Sequence, residues 1–444
     1  MSDRETAYKI LNDIFNNDML YQDALASAFE NAKKAGEDVN KAWVTRLVKG
    51  VTERYLSLVF LIEEQAGRKF EKIHKNVRIV LLSGLYQGMY MNVPVSAAVN
   101  ESVKLAVKHK LAGLRGFVNG VLRGIFREFE GAESADEFIA EKAEAKYPGD
   151  EDKQLSVITS TPVWIIKNYE NYSDDVKSIL YGQFSEQVLT ISPIRSRTSD
   201  TELEEAFKKE NTGFSLKNSS VLGEEFSYYE ISPGKAVYEL PSFKKGYYIV
   251  QDPASMLASE MVPLIPEMKV IDVCAAPGGK AIHLADRITA VSGHVTACDI
   301  SATKVDKIND TIKRTGLVNI TTLPADAAKN IKNFNNFFDV AVCDLPCSGL
   351  GVIAKKPDIK YKTGESDPAE LSKLQKSILE NVIRYVKCGG YICFSTCTLT
   401  KCENEDNVKF LCEKGFTEIK SVTLLPDREH DGFFISILKK NRED

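Results

Sequence analysis

Two short stretches place thiols where covalent chemistry can be done. Asp344-Leu-Pro-Cys-Ser-Gly349 and Ser395-Thr-Cys-Thr398 each close an apolar run, and they deliver Cys347 and Cys397. Thiolate is the strongest common side-chain nucleophile. One reaction that needs such a nucleophile is methylation at C5 of cytosine, a carbon too electron-poor to attack a methyl donor. Addition of a thiolate at C6 turns the ring into an enamine that is nucleophilic at C5. Methyl transfer from a sulfonium donor, loss of the C5 proton and elimination of the thiolate then complete the cycle. The chemistry requires a nucleophilic cysteine, an acid near N3 and a second group that assists release; Cys397, Asp344 and Cys347 can fill these roles in that order. Zinc is the rival reading of the cysteines. Cys388, Cys393, Cys397 and Cys402 follow a C-x4-C-x3-C-x4-C spacing, which lacks the paired C-x-x-C knuckles of common structural sites. Cys274, Cys298, Cys343 and Cys393 read as small buried apolar residues.

A ligand loop precedes both thiols. In Val270-Ile-Asp-Val-Cys-Ala-Ala-Pro-Gly-Gly-Lys280 a short buried strand breaks at Pro277-Gly278-Gly279, and the helix-favouring run Ala281–Ile288 follows. Strand, glycine turn and helix N-terminus let backbone approach a ligand closely. The G-x-G-x-x-G spacing of dinucleotide sites is absent, and Ala281 after Lys280 offers no hydroxyl for a P-loop magnesium. The next strand ends in Asp299, 20 residues past Gly279, where a carboxylate can accept from a ribose diol. Capping the helix Ala302–Thr315 is the alternative task, which Ser301 serves equally well. A third strand leads to Asp326, near where an adenine would lie.

These residues need a sheet to bring them together. From Gln251 onward strands alternate with helices: Lys269–Val273, His294–Cys298, Asn319–Leu323, Phe338–Cys343 and Gly390–Ser395, with helices clearest at Ala302–Thr315 and Pro368–Val386. That rhythm is a doubly wound α/β sheet, whose ligands sit at the carboxyl ends of its strands. Five parallel strands then bring three acids and two cysteines to one edge. Phe416–Lys420 and Gly432–Leu438 are expected as antiparallel edge strands.

The preceding chain differs in character. Residues 1–130 carry helical stripes throughout, with Ser2 and Glu5 at capping-box spacing and Pro94 and Gly113 as breakers, which predicts an all-α bundle. Residues 131–176 read as a linker carrying helices. From Gln187 to Val250 strand-like runs at Leu189–Ile194, Ser227–Ile231 and Tyr247–Val250 flank a helix near Thr201–Glu210, a small α+β module. Arg195 and Arg197 follow its first strand, as phosphate contacts or as surface residues.

Composition bounds the rest. The 444 residues suffice for two or three full cores. Net charge is −5, yet residues 41–130 hold 15 Lys/Arg against 7 Asp/Glu, an excess that attracts phosphate or simply solvates a helical face. All nine cysteines lie at or after Cys274, a pattern that fits a reducing cytoplasm rather than a disulfide framework. The start Met-Ser-Asp-Arg-Glu-Thr lacks signal-peptide regions, and Val77–Val99, interrupted by Ser83, Gly84, Gln87 and Pro94, reads as a buried helix rather than a membrane span.

Asp272-Val-Cys-Ala-Ala-Pro-Gly-Gly-Lys280, Asp344-Leu-Pro-Cys-Ser-Gly349 and Ser395-Thr-Cys-Thr398 together resemble the RNA 5-methylcytosine methyltransferases. The resemblance implies that Cys397 is the nucleophile and that Cys347 helps release the product. It implies contacts to S-adenosylmethionine from Cys274, Ala275, Ala276, Pro277, Gly278, Gly279, Lys280, Asp299, Asp326 and Asp344, with Lys280 also orienting the reacting centre. DNA cytosine methyltransferases draw their nucleophile from the Pro-Cys motif, so Cys397 favours RNA. Val93-Pro-Val-Ser-Ala-Ala-Val-Asn-Glu101 and Phe117-Val-Asn-Gly-Val-Leu-Arg123 resemble the NusB-like helical domain, which is fused to this enzyme in the bacterial small-subunit ribosomal RNA methyltransferase B group. Gly351-Val-Ile to Pro357-Asp-Ile-Lys360 and Asp431-Gly-Phe-Phe434 are similar to that group as well. Two departures stand out: Ala325-Asp326-Ala327 replaces the usual Gly-Asp-Gly, and Ser192-Pro-Ile-Arg-Ser196 stands where an Arg-Val-Asn run is common.

The expectation is a multidomain chain: a NusB-like all-α bundle over 1–140, linker helices and a small α+β RNA-binding module over 141–250, and a class I methyltransferase domain over 251–444. The resemblance implies a cytoplasmic monomer that takes S-adenosylmethionine as cofactor and small-subunit ribosomal RNA as partner, with no metal and no membrane.

Overall fold

The computed structural model describes residues 2–185 and 187–441, and the chain divides into two compact units. One holds the residues up to Phe184 together with Lys355–Gly364; the other holds Ser185–Ala354 and the chain from Glu365 onward.

The first unit is helical. Its centre is the helix Lys75–Tyr90, buried on nearly every side through Val77, Ile79, Val80, Leu81, Leu82 and Leu85. Its polar side chains are satisfied inside the bundle: Ser83 Oγ donates to the Ile79 carbonyl at 2.8 Å, and Arg4 Nε donates to Gln87 Oε1 at 2.7 Å. Among the described residues no helix is long and apolar enough to cross a membrane. The expected linker is part of this bundle, because Ala135–Lys146 and Glu151–Thr159 give Phe138, Ile139, Ala143 and Val157 to the same core. Their acidic, alanine-rich sequence hides a narrow apolar stripe.

The apolar pattern from Val44 to Ala66 runs unbroken in the sequence but is carried by two helices, Lys41–Glu53 and Tyr55–Ala66, broken at Arg54. The break leaves backbone groups without helical partners, and distant residues satisfy them. Lys360 Nζ and Tyr361 Oη donate to the Glu53 carbonyl at 3.1 and 3.3 Å. Ser160 Oγ accepts from the Leu56 and Ser57 amides at 2.8 and 3.4 Å. Asp358 Oδ2 accepts from the Tyr21 amide at 2.9 Å and so caps the helix Tyr21–Lys34, whose own N-cap, Leu20, cannot. The Pro-Asp-Ile-Lys360 stretch thus serves the helical unit, although it lies late in the sequence.

The second unit holds two sheets. β1 (Leu189–Pro193), β2 (Gly213–Val221), β3 (Glu224–Ser232) and β4 (Tyr248–Val250) form an antiparallel sheet in the order β2-β3-β1-β4. β2 escapes sequence reading because its run Ser-Leu-Lys-Asn-Ser-Ser is polar on both faces. The larger sheet contains β5 (Lys269–Asp272), β6 (His294–Asp299), β7 (Ile320–Pro324), β8 (Phe338–Asp344), β9 (Val386–Thr396), β10 (Phe416–Leu424) and β11 (Phe433–Lys440), ordered β10-β11-β9-β8-β5-β6-β7. β5 to β9 are parallel; β11 pairs antiparallel to β9, so β10 alone of the last two is an edge. Strand residues alternate between two cores, with Val270, Val340 and Val342 on one face and Ile271, Ala341 and Cys343 on the other. Ile194, just past β1, and Ile249 of β4 enter the first of these cores. Asp286 on the helix Gly279–Ile288 accepts from the amides of Arg195 and Ser196 at 2.6 and 3.0 Å. The small module is therefore built onto the large sheet.

Lys360 generates a test. It is 1% exposed, and burial pulls its ammonium down to about 7, against the opposing pull of Glu53. A lysine with a folded pKa below its unfolded value of about 10.4 binds fewer protons when folded. Its cost is fully present below about pH 7 and is relieved as pH climbs toward the unfolded value. The wild-type chain should therefore gain stability relative to Lys360→Met when pH is raised from about 7 to about 9, read as the difference between two thermal unfolding midpoints. A difference that does not move with pH would contradict this.

Candidate active site

The glycine turn is held from both sides. The Ala275 amide donates to the Cys298 carbonyl at 2.7 Å and the Ala276 amide to Asp299 Oδ2 at 3.3 Å, tying the turn to the end of β6. Gly278 has φ +107°, a conformation that side-chain-bearing residues rarely adopt, and opens the helix Gly279–Ile288. Asp299 is not the cap of the helix that follows. Ser301 Oγ caps Ala302–Thr315 through the Lys304 amide, while Asp299 holds the turn and, through Oδ1, its own Ser301 amide at 3.0 Å. Ile300 beside it is 69% exposed, a large apolar side chain presented at the strand end. Asp326 spends its carboxylate locally, on the Ala328 amide at 3.0 Å and Lys329 at 3.2 Å.

Asp272 was not among the expected site residues. It is 1% exposed; Oδ1 accepts from the Cys274 amide at 3.3 Å, and Oδ2 has no partner. Burial, reinforced by the negative charge of Asp344, pushes its carboxyl up to about 7. An acid at the last position of a buried strand was the available signal, the same one that marks Asp299 and Asp344.

Lys280 reaches from the turn to β8. Its Nζ lies 2.8 Å from Asp344 Oδ2 and 4.7 Å from the centre of the Phe433 ring. Burial pulls the ammonium down, but the charge and hydrogen bond of Asp344 outweigh it and hold Lys280 above the ordinary lysine value. Ser395 Oγ donates to the other oxygen, Asp344 Oδ1, at 3.0 Å. Three strand ends, β5, β8 and β9, thus meet at one carboxylate.

The two thiols lie next to this centre, with Cys347 Sγ 3.3 Å from Cys397 Sγ, and none of the nine cysteines is in a disulfide. The hydrogen bond between the two thiols, together with burial, pushes the Cys347 thiol well above the ordinary range. Among the described residues no group of three His, Cys, Asp or Glu side chains is placed to hold a metal. Arg195 is engaged within its own module, by Asp200 at 2.5 Å and Ser227 at 2.7 Å, and Arg197 lies against Gly316.

Two glycines set the Cys397 loop. The Gly351 amide donates to the Cys397 carbonyl at 2.9 Å, and the Gly432 amide donates to the Gly351 carbonyl at 2.8 Å. A Cβ on Gly351 would fall 1.9 Å from the Gly432 oxygen and 2.9 Å from that of Cys397, so only glycine fits. The Gly351 and Asp431-Gly432 motifs, far apart in sequence, are the two halves of one backbone contact.

Comparison with known proteins gives the family and the fold. A family model described as 16S rRNA methyltransferase RsmB/F matches residues 261–439, and the NusB family model matches residues 1–127. A probable ribosomal RNA small subunit methyltransferase B of Synechocystis is 31% identical, covering 99% of this chain and 100% of the relative. Its namesake of Bacillus subtilis is 32% identical over 83% of this chain and 79% of the relative. The crystal structure of PH0851 shares the fold at TM-score 0.78 and 21% identity, covering 98% of this chain and 99% of that one. S-adenosylmethionine fits the residues present. The orphan Asp272 oxygen, with the Asp299 and Asp344 carboxylates near it, suits a ligand that brings a sulfonium and an ammonium.

Gly351→Ala should show how tightly the thiol loop is specified. Forcing a methyl group between two carbonyls costs about 1–3 kcal/mol of stability. Thermal unfolding should register that loss, and turnover should fall at least about tenfold as Cys397 shifts, while donor affinity measured by calorimetry stays within about twofold. Unchanged turnover would contradict the close fit.

Proposed function

This chain belongs to the ribosomal RNA small subunit methyltransferase B family of S-adenosylmethionine-dependent methyltransferases, and we propose that it methylates C5 of cytosine in small-subunit ribosomal RNA through a covalent cysteine adduct. The observation that carries this reading is the pair of thiols 3.3 Å apart beside the Lys280–Asp344 pair. A single transfer to an already nucleophilic atom would need neither thiol.

When bound, S-adenosylmethionine supplies an electrophilic methyl group. Cys397 adds through Sγ to C6 of the cytosine, and the electron pair moves toward N3. Asp344, held by Lys280 and Ser395, takes the thiol proton of Cys397 and delivers it to N3, so that the charge developing there is neutralised. After C5 carries the methyl group, Cys347, its own proton released to solvent, takes the C5 proton as a thiolate; the electrons of that C–H bond form the C5=C6 bond and expel Cys397, to which the N3 proton returns through Asp344. Asp299 takes the ribose, the exposed face of Ile300 covers the adenine, and Asp272 faces the positive end of the donor. A target base must be turned out of any helix to reach Cys397. The NusB-family helical domain, with its excess of 8 basic residues over 41–130, supports RNA as the partner.

Donor with a labelled methyl group, offered to separate ribosomal and transfer RNA pools and followed by digestion to nucleosides, tests reaction and substrate together. Label is expected in 5-methylcytidine from small-subunit RNA. Label only from transfer RNA would overturn the substrate and keep the chemistry; no label in either pool, with donor bound, would point to a non-catalytic assembly role. Cys397→Ser should abolish turnover and keep donor binding. Cys347→Ala should accumulate a protein–RNA adduct visible on a denaturing gel, because its release step is blocked.

A further inference from the structure

Beneath the thiols lies a polar cluster that no step above employs. Glu403 is fully buried, six residues past Cys397. Its Oε1 accepts from the Ser348 amide at 2.9 Å and from Gln375 Nε2 at 3.1 Å. Its Oε2 accepts from Ser348 Oγ at 2.5 Å and Thr400 Oγ1 at 2.7 Å. Ser348 Oγ also lies 2.7 Å from Thr398 Oγ1, and Gln375 Nε2 donates to the Pro346 carbonyl at 2.8 Å. Both chain neighbours of Cys347, and the residue after Cys397, are therefore tied directly or through one side chain to a single carboxylate.

Such a group is expensive. Its partners are neutral donors, so the cost of burying a carboxylate is offset by hydrogen bonds alone. Burial pushes Glu403 up, and the bonds from Ser348 and Thr400 pull it back. A fold that needed only to fill this space would do so with apolar side chains at lower cost. What the carboxylate adds is geometry: four donors converge on two oxygens, which leaves the Pro346–Ser348 turn one position relative to the Cys397 loop.

We propose that Glu403 is a positioning residue for product release, holding Cys347 at the separation from Cys397 at which the C5 proton can be taken. The inference rests on the adduct mechanism proposed above. Glutamine at 403 would keep the shape but turn one acceptor into a donor facing Ser348 or Thr400, and so shift the Cys347 turn.

The test compares two rates in the full chain with small-subunit RNA: methyl transfer in the first turnover, and decay of the covalent adduct. For Glu403→Gln the ratio of first-turnover rate to adduct-decay rate should rise at least about tenfold over wild type, the direction expected of Cys347→Ala, because release alone depends on Cys347. If Glu403→Gln does not fold, as judged by thermal unfolding, Ser348→Ala carries the test. It removes one donor and keeps the carboxylate, and should raise the same ratio several-fold. An unchanged ratio, with release at the wild-type rate or with both steps slowed equally, would overturn the proposal by reducing Glu403 to a structural role. Wild-type protein that makes neither 5-methylcytidine nor adduct would overturn the underlying mechanism instead, and needs no variant to be seen.

Discussion

A partly buried ion pair between Lys280 and Asp344 is the constraint on which the site depends. It joins the glycine turn after β5 to the end of β8, and Ser395 brings in the end of β9. Neither member is free to leave, since removing one partner of a buried pair leaves an uncompensated charge at a cost of about 3–5 kcal/mol. The pair ties the glycine turn to the strand ends that carry the thiols. The surrounding features follow as supports: the Gly351–Gly432 contact sets the Cys397 loop, and the Glu403 cluster sets the Cys347 turn.

The thiol loop also shows why a catalytic motif runs on beyond its chemistry. The chain passes from Cys347 through Gly351 to Ala354, and its next residues, Lys355–Gly364, belong to the helical unit. There Asp358 and Lys360 satisfy backbone groups at a helix start and a helix break. A side chain that caps a helix more than 300 positions away cannot be identified from local pattern, although it is as tightly specified as a catalytic residue.

The parallel strands were legible because buried strands read as unbroken apolar runs, and the acids and cysteines stood out at their ends. The helix Ala302–Thr315 was legible to the residue, with Ser301 as its cap. Tertiary partners hid the rest. β2 carries a polar pattern that only pairing with β3 explains, and Arg54 ends a helix whose stripe continues across it. Glu403 reads as a surface charge in the polar run Thr398–Asn407, and nothing local says that four donors enclose it. Asp272 carried a usable signal, its place at the end of a buried strand, but the motif beside it drew the reading toward backbone rather than carboxylate.

The central claim is that Cys397, rather than its neighbour 3.3 Å away, makes the bond to the base. RNA containing 5-fluorocytidine tests it most directly, because fluorine at C5 cannot be removed as a proton is, and the adduct stays bound. Digestion of the trapped complex and mass spectrometry of the peptide–nucleotide product should place the base on Cys397. A product carried by Cys347, or methyl transfer with no trapped product at all, would contradict the account.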